Sequence, residues 1–288
     1  MKVVKPHLIG VLHRTFEHDR KHYLVVSALV AFRLTDPERL VQDPLLWKAA
    51  SEELGRDGVL ELGMSKQRGE VLVTGRAYPS SGPQPAVSVR LRVGGTIDKT
   101  LYVVGDRRWE ANGWSPPAPF SEMPIAWANA FGGDGFADNP VGKGLASVVV
   151  DGREVHPLPN VEDPKDLVRS PRDRPKPAGF APIDLLWPAR FSKMGTHDAA
   201  WLKDLYPGFA RDLDGSVFQA APRDQWIEGY FRGDEAFSLE HMHPTLPVLE
   251  GKLPGYVVRA FLRHRGAEAL REVPTRIDTL HFFPHKDL

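Results

Sequence analysis

The stretch AVSVRLRVGGTIDKTLYVVG, Ala86 to Gly105, holds two strand-length runs separated by a glycine pair. In the first run Val87, Val89, Leu91 and Val93 alternate with Ser88, Arg90 and Arg92, the period of a strand with one buried and one solvated face. Gly94 and Gly95 suit a tight turn, so the second run is expected to fold back antiparallel. Upstream, EVLVTGRAY (Glu70 to Tyr78) reads as another strand-forming run. The turn-rich PSSGPQP that follows it predicts an antiparallel meander.

Working outward, 26 glycines and 26 prolines in 288 residues leave little room for long helices. Two short ones are predicted. In DPLLWKAASEELG, Asp43 is a candidate N-cap, Leu45, Leu46, Ala49, Ala50 and Leu54 form an apolar face, and Gly55 is the stop. In THDAAWLKDLYPG, Thr196 or Asp198 caps a helix that ends before Pro207. The run YLVVSALVAF, Tyr23 to Phe32, is too short to span a bilayer and is expected to be a buried strand. Strand character returns at GYVVRAFLRH and RIDTLHFFP.

Between about Trp109 and Pro188 the periodicity fades, and prolines cluster in SPPAPF, PLPN and SPRDRPKPAGFAPIDLLWP. Trp114, Phe120, Trp127, Phe131, Phe136, Phe180 and Trp187 recur along this segment. That density of apolar anchors predicts a loop layer lying ordered over the strands. The expected fold class is therefore mainly β with a few short helices: antiparallel strands in a sandwich or barrel-like core, covered by long Pro/Gly-rich ordered loops. One β-rich domain over 1–288 is expected, with a loop-rich layer at about 109–190 and a division into two subdomains left open.

Lys plus Arg equals Asp plus Glu, 37 each, so no global basic field draws the chain to nucleic acid or to an anionic membrane. The absence of cysteine excludes disulfides and thiolate chemistry, in keeping with a cytoplasmic location. The N-terminal MKVVKPHLIGVLHRTF lacks the sustained apolar core of a signal peptide.

The glycine-rich AFGGDGFADNPVGKG, Ala130 to Gly144, raises three readings. A phosphate loop would need glycine at Ala137 and Ser or Thr at Gly144. As a calcium loop, Asp134, Asp138 and Asn139 offer oxygens, but the glycine and closing glutamate of an EF-hand are out of place. Scaffolding remains: glycines in left-handed turns, a corner at Asn139-Pro140, and Phe131 and Phe136 as pins. No cofactor is expected.

In EHMHP, if the segment is a strand, His241 and His243 share one face, a spacing metals accept, with Asp234 and Glu235 nearby. No third ligand is specified, so structural histidines are the competing reading. His197-Asp198 and FARDLDG are explained by capping and turns, and no Gly-x-Ser-x-Gly elbow occurs. Arg169, Arg172, Arg174 and Lys176 form a basic run that suits either a solvated loop or an acidic partner.

Taken in order, GRAYP, DKTLYVVGDRRW, PIAWANAFGG, NPVGKG, PLPNVEDP, PAGFAPIDLLWPAR, FQAAPRDQ and LPGYVVRAF resemble a bacterial family of domains of unknown function. Its genes sit beside type VI secretion effectors that carry PAAR-type spike tips. The resemblance covers about Tyr23 to Phe283 and implies an adaptor or chaperone that holds a cognate secreted effector and aids its loading onto the PAAR spike. The family has no established catalytic residues to carry over. Ala128 stands where an acid is more typical and Ser65 where proline is usual, and some relatives are expected to continue beyond LHFFPHKDL. On this reading Trp109, Trp127, Phe131, Phe136, Asn139, Lys143, Arg172 and Arg174 are the partner-binding or structural hub. The alternatives are a metal-dependent hydrolase built on His241 and His243, and a carbohydrate-binding β module using Trp109 and Trp114.

Overall fold

The computed structural model describes residues 9–18, 21–38, 40–41, 66–111, 113–263, 266 and 268–288. The predicted helix at 43–55 and Ser65 lie outside them. In chain order the principal strands are β1 (Gly10–His18), β2 (Lys21–Leu29), β3 (Gly69–Val73), β4 (Ala86–Val93) and β5 (Ile97–Val104). They are followed by β6 (Val161–Glu162), β7 (Trp226–Ile227), β8 (Ala236–Glu240), β9 (Val248–Lys252) and β10 (Thr279–Phe282). Two short helices, α1 (Pro188–Phe191) and α2 (Ala199–Asp204), lie between β6 and β7. Strands dominate and the helices are few and short, so the chain is β-rich. Among the described residues no helix is long and apolar enough to cross a membrane.

The main sheet is antiparallel throughout, in the order β6-β5-β4-β8-β9. Its centre is the β4/β5 hairpin that the alternation predicts: Val89, Leu91 and Val93 point inward with Ile97, Leu101 and Val103. Gly94 (φ 60°) and Gly95 (φ 71°) both take the left-handed backbone that a tight hairpin turn demands. On the outer face Arg90 pairs with Asp98 through two contacts of 2.6 and 2.7 Å, and Arg92 reaches Glu240 at 3.2 Å.

The Glu70 run departs from the predicted meander. Its strand, β3, leaves the main sheet and becomes the centre of a second one, ordered β7-β3-β10, with β10 parallel to it. The physical reason is burial on both faces, since all five residues of β3 are buried. Val71 and Val73 join the main core with Phe237, Leu239 and Phe282, whereas Leu72 packs on Ala220 and Ala221 from the opposite side. Phe237 of the main sheet and Phe282 of the second stand 5.4 Å apart, ring centre to ring centre.

A strand this deep must satisfy every polar group it carries. The Glu70 carboxylate accepts from Lys66 Nζ, from Ala221 N at 2.9 Å and from Gln219 Nε2 at 3.2 Å. Because β7 covers only the first residues of β3, side chains and loops complete the edge. Gln225 Nε2 donates to Val71 O at 2.7 Å, and Val73 N donates to Phe180 O at 3.1 Å.

The Tyr23 run is not a buried strand. Among the described residues β2 pairs with β1 alone, in a separate two-stranded hairpin, and Leu24 and Val26 are exposed. The charged and polar residues that precede Tyr23 place the run in a solvent-facing ribbon rather than in a sheet interior. The strand character at the C-terminal end appears as β10 and as a hairpin of Ala260–Leu262 with Arg271–Val273. The turn after β10 closes onto residues 33–35: Asp287 accepts from Thr35 N at 2.8 Å and from Thr35 Oγ1 at 2.7 Å.

On β10, His281 stacks on Phe283 at 4.1 Å and its Nε2 meets Thr74 Oγ1 at 2.9 Å. Burial, with Lys66 adding repulsion, pushes its pKa down to about 3. The folded protein thus keeps His281 neutral over a range in which the unfolded chain, with a pKa of about 6.5, takes up a proton. Stability is full above pH 6.5 and falls as pH drops toward 3. Between pH 7 and pH 5 the loss from this group is about 2 kcal/mol. Urea unfolding of wild type and His281→Gln at the two pH values is expected to show their stability difference narrowing by that amount at pH 5. An unchanged difference would mean that His281 is not held neutral.

Candidate functional site

The glycine-rich loop is built around one buried amide. Asn139 Nδ2 donates to Trp127 O at 2.8 Å and to Phe131 O at 3.0 Å, while its backbone carbonyl accepts from Gly133 N at 3.0 Å. Two glycines make room for it. A Cβ on Gly132 (φ 154°) would lie 2.2 Å from Asn139 O, and one on Gly142 would lie 2.4 Å from Asn139 Nδ2. Neither position tolerates a side chain, so these glycines serve close packing around Asn139.

Trp127 and Phe131 carry this node outward. Trp127 is buried; its Nε1 lies 2.9 Å from Pro182 O and 3.1 Å from Ala181 O, and its ring meets Trp187 edge-on at 5.7 Å. Gly179 lies flat against that ring, where a Cβ would come within 3.0 Å. Phe131 meets Phe136 edge-on at 5.5 Å and packs with Leu158 and Val168, against which Trp109 and Leu145 also rest. Phe131 and Lys143 pair in a short parallel ladder, and Ala130 bridges to Val161 of β6. Asn160 completes the seam, donating to Val104 O at 2.9 Å and to Asp106 Oδ1 at 3.0 Å. The loop layer is thereby stitched to the β5/β6 edge of the main sheet.

Of the remaining predicted residues, Lys143 and Trp109 touch the margin of this node, whereas Arg172 and Arg174 lie in a separate turn. Lys143 is half-buried, with Asp106 at 3.8 Å, and burial lowers its pKa. Trp109 meets the exposed Trp114 at 5.6 Å with the rings tilted by 59°. Arg172 and Arg174 sit in an exposed turn organised by Asp173, which accepts from Arg169 N and Ser170 N at 2.8 Å each. Arg174 is folded back on that turn, donating to Asp173 O at 2.8 Å, and it lines a shallow open depression of about 430 Å³ with Lys165, Asp166 and Arg169.

His241 and His243 are not neighbours on one strand face. β8 ends at Glu240, and His241 takes a left-handed conformation (φ 57°) that turns the chain. His241 Nδ1 lies 3.0 Å from Ser88 O, and His243 Nδ1 accepts from Leu246 N at 3.1 Å and Thr245 N at 3.2 Å. The His243 ring thus serves a turn, and the His241 ring ties that turn to β4. Among the described residues no group of three or more His, Asp or Glu side chains is placed to hold a metal ion.

Exposed apolar side chains that the sequence reading did not single out lie on and beside α1 and α2. Trp187 and Arg190 anchor α1 from beneath: Trp187 sits against Trp127, and Arg190 Nε donates to Val217 O at 2.8 Å. This turns Leu186, 74% exposed, and Phe191, 47% exposed, toward solvent. Asp198 caps α2 by accepting from Trp201 N at 2.8 Å. Trp201 is in turn held by a bond from its Nε1 to Gly208 O at 2.9 Å and by His197 and Tyr206 at 4.6 and 5.5 Å. Leu202 and Tyr206 are then 61% and 64% exposed. The incoming backbone is fixed by Gly195 (φ 85°) and by Thr196, whose N and Oγ1 donate to the Asp212 carboxylate at 2.9 and 2.8 Å. Only the mixture of Trp, Leu, Phe and Tyr in so short a segment hinted at this in the sequence.

These features describe a β-rich protein with an ordered, aromatic-pinned loop layer that holds apolar side chains out to solvent. The chain belongs to the family described as "Uncharacterized protein conserved in bacteria (DUF2169)", whose model matches residues 19–288. Searches of curated proteins and of solved structures gave no match.

Replacing Asn139 by Ala would leave the buried Phe131 carbonyl without its side-chain donor and the Trp127 carbonyl with Ala130 N alone. The expected loss is about 2 to 4 kcal/mol of unfolding free energy, read from urea denaturation. Gly142→Ala should be comparably damaging. If Asn139→Ala costs less than about 0.5 kcal/mol, the loop is not organised around this side chain.

Proposed function

We propose that this protein is an adaptor or chaperone of bacterial type VI secretion. It binds a cognate effector in the cytoplasm and aids the effector's loading onto the PAAR-tipped spike. The reading rests on the ordered series of motifs from GRAYP to LPGYVVRAF and on one structural observation. Leu186, Phe191, Leu202 and Tyr206 are held out to solvent on supports that are themselves buried or hydrogen-bonded.

Large apolar side chains on pre-ordered backbone favour protein binding, because contact area is gained with little further loss of chain entropy. Aromatic residues among them supply the anchors typical of interface centres. A chaperone also needs a reversible contact, and an exposed set of a few apolar residues meets that need better than an extensive apolar core would. The buried Trp127, Phe131 and Asn139 then act as the frame that positions the surface. The histidine turn at 241–243 offers no comparable support for hydrolysis, since among the described residues no third ligand joins the two rings.

The test is co-expression with the PAAR-tipped effector encoded beside this gene, followed by purification of the complex. A stoichiometric complex is expected. Replacing Leu186, Leu202 and Tyr206 together by Ser should weaken it at least tenfold while leaving the melting temperature within a few degrees. Survival of the complex in that variant would remove the α1–α2 surface from the proposal. An effector whose solubility and spike association do not change with this protein present would end the adaptor reading itself.

A further inference from the structure

The two edges of the main sheet are treated differently. On one side β6 and the loop layer take up the backbone groups of β5, with Val104 N donating to Asn160 O at 2.8 Å. On the other side β9 has β8 as its partner and nothing beyond it among the described residues.

Which groups that leaves open follows from hydrogen-bond parity. Leu253 N donates to Glu235 O at 2.9 Å, and His241 N donates to Pro247 O at 2.7 Å, so residues 247, 249, 251 and 253 turn their backbone toward β8. Val248, Glu250 and Lys252 therefore point their N–H and C=O groups away from the sheet. No hydrogen bond to these groups occurs among the described residues, and all three side chains are exposed on the outer face. An open edge of this kind is a template for another strand.

We propose that β9 pairs antiparallel with β9 of a second copy of this chain, about a two-fold axis at Gly251, joining the main sheets of the two copies into one. Three registers centre on the strand, and the side chains discriminate among them. Centring on Glu250 sets Glu250 against its own copy, a like-charge pair directly across the ladder. Centring on Leu249 sets Glu250 against Val248 and leaves Lys252 without an opposite charge. Centring on Gly251 sets Glu250 against Lys252 of the second copy on the outer face, twice by symmetry, with the backbone of both residues in bonding parity. On the inner face the same register sets Leu249 against Leu253 of the second copy, so the apolar side of the sheet continues across the axis.

Gly251 also suits the axial position. The Phe237 ring lies over it so closely that a Cβ would come within 2.9 Å of the ring, which leaves the strand slim where the two copies approach most nearly. Pro254, without an N–H, limits the ladder at its end. Lys252 is not committed elsewhere: its contact with Asp234 is a loose 3.8 Å pair between exposed groups. This pairing uses a different surface from α1–α2 and does not depend on the adaptor reading.

The experiment is sedimentation velocity of the full chain over a wide concentration range, with amide hydrogen exchange at both ends of it. The mass is expected to rise from 32.1 kDa toward twice that value. The amides of Glu250 and Lys252 should slow with concentration, whereas those of Leu249 and Gly251 are slow throughout. Glu250→Lys alone and Lys252→Glu alone each oppose like charges and should raise the dissociation constant at least about tenfold. The double variant E250K/K252E restores complementary pairs and should recover the dimer. These positions are exposed, and a thermal melt confirms that each variant folds. A monomer at every concentration overturns the proposal, as does a dimer in which the Glu250 and Lys252 amides remain unprotected. A chain that stays monomeric and instead accepts an extended segment of another protein on β9 overturns it as well.

Discussion

A single buried amide joins three parts of this protein that lie far apart in the chain. Gln225 Nε2 donates to Val71 O of the second sheet and to Phe180 O of the loop layer, and its Oε1 accepts from Lys99 Nζ of the main sheet at 2.8 Å. Lys99 extends the junction to Gly179 O at 2.7 Å and to Asp224 at 2.8 Å. Burial lowers the Lys99 pKa, with Asp224 opposing the shift. Gln225, Lys99 and the carbonyls they bond would be costly to leave unpaired at this depth, so their mutual satisfaction specifies how sheet, sheet and loop must meet. The apolar core shared by the two sheets supplies the driving force for collapse, and the amide supplies the registration.

From this junction the loop layer inherits its order. Gly179 and Phe180 are held by Lys99 and Gln225, Gly179 packs against Trp127, and Trp127 stands over Trp187 at the root of α1. A long segment without regular structure is thereby fastened at intervals by side chains that reach the core. This is how such a segment meets the entropy cost of being ordered. The same chain of contacts leads to the surface, since what Trp187 and Arg190 bury beneath α1 decides that Leu186 and Phe191 must point away. A binding face that is rigid in advance loses less on association, which is the physical link between this architecture and the adaptor role proposed for it.

The fold also divides its sheet edges by function. Loop backbone and the Asn160 amide close the β5 side, while β9 presents alternate main-chain groups to solvent between Pro247 and Pro254. Charged side chains on an edge are a common protection against indiscriminate pairing. Here Glu250 and Lys252 do more than repel, because their order makes one register of self-pairing complementary and another repulsive.

Part of this was legible in the residues themselves. The alternation from Val87 to Val93 and the pair Gly94-Gly95 determine a hairpin locally, since side-chain period and left-handed turn preference require no partner. Asp198 as a helix cap and the loop layer's dependence on its aromatics were legible for the same reason. Asn139 was legible as part of the hub from its place at a corner, but its bonds to the Trp127 and Phe131 carbonyls were not, because carbonyls carry no residue identity. The burial of β3 on both faces and the exposure of β2 went against expectation, as similar apolar runs look alike until the rest of the chain decides which are covered. Whether the two histidines share a strand face was not legible, because nothing local announces the left-handed turn at His241. What the sequence by itself determined was the β-rich class, the central hairpin and the need for an anchored loop layer, all consequences of short-range pattern. Only the tertiary structure decided which sheet each strand joins, which apolar side chains face water and which backbone groups β9 leaves open, because each depends on contacts between residues far apart in the chain.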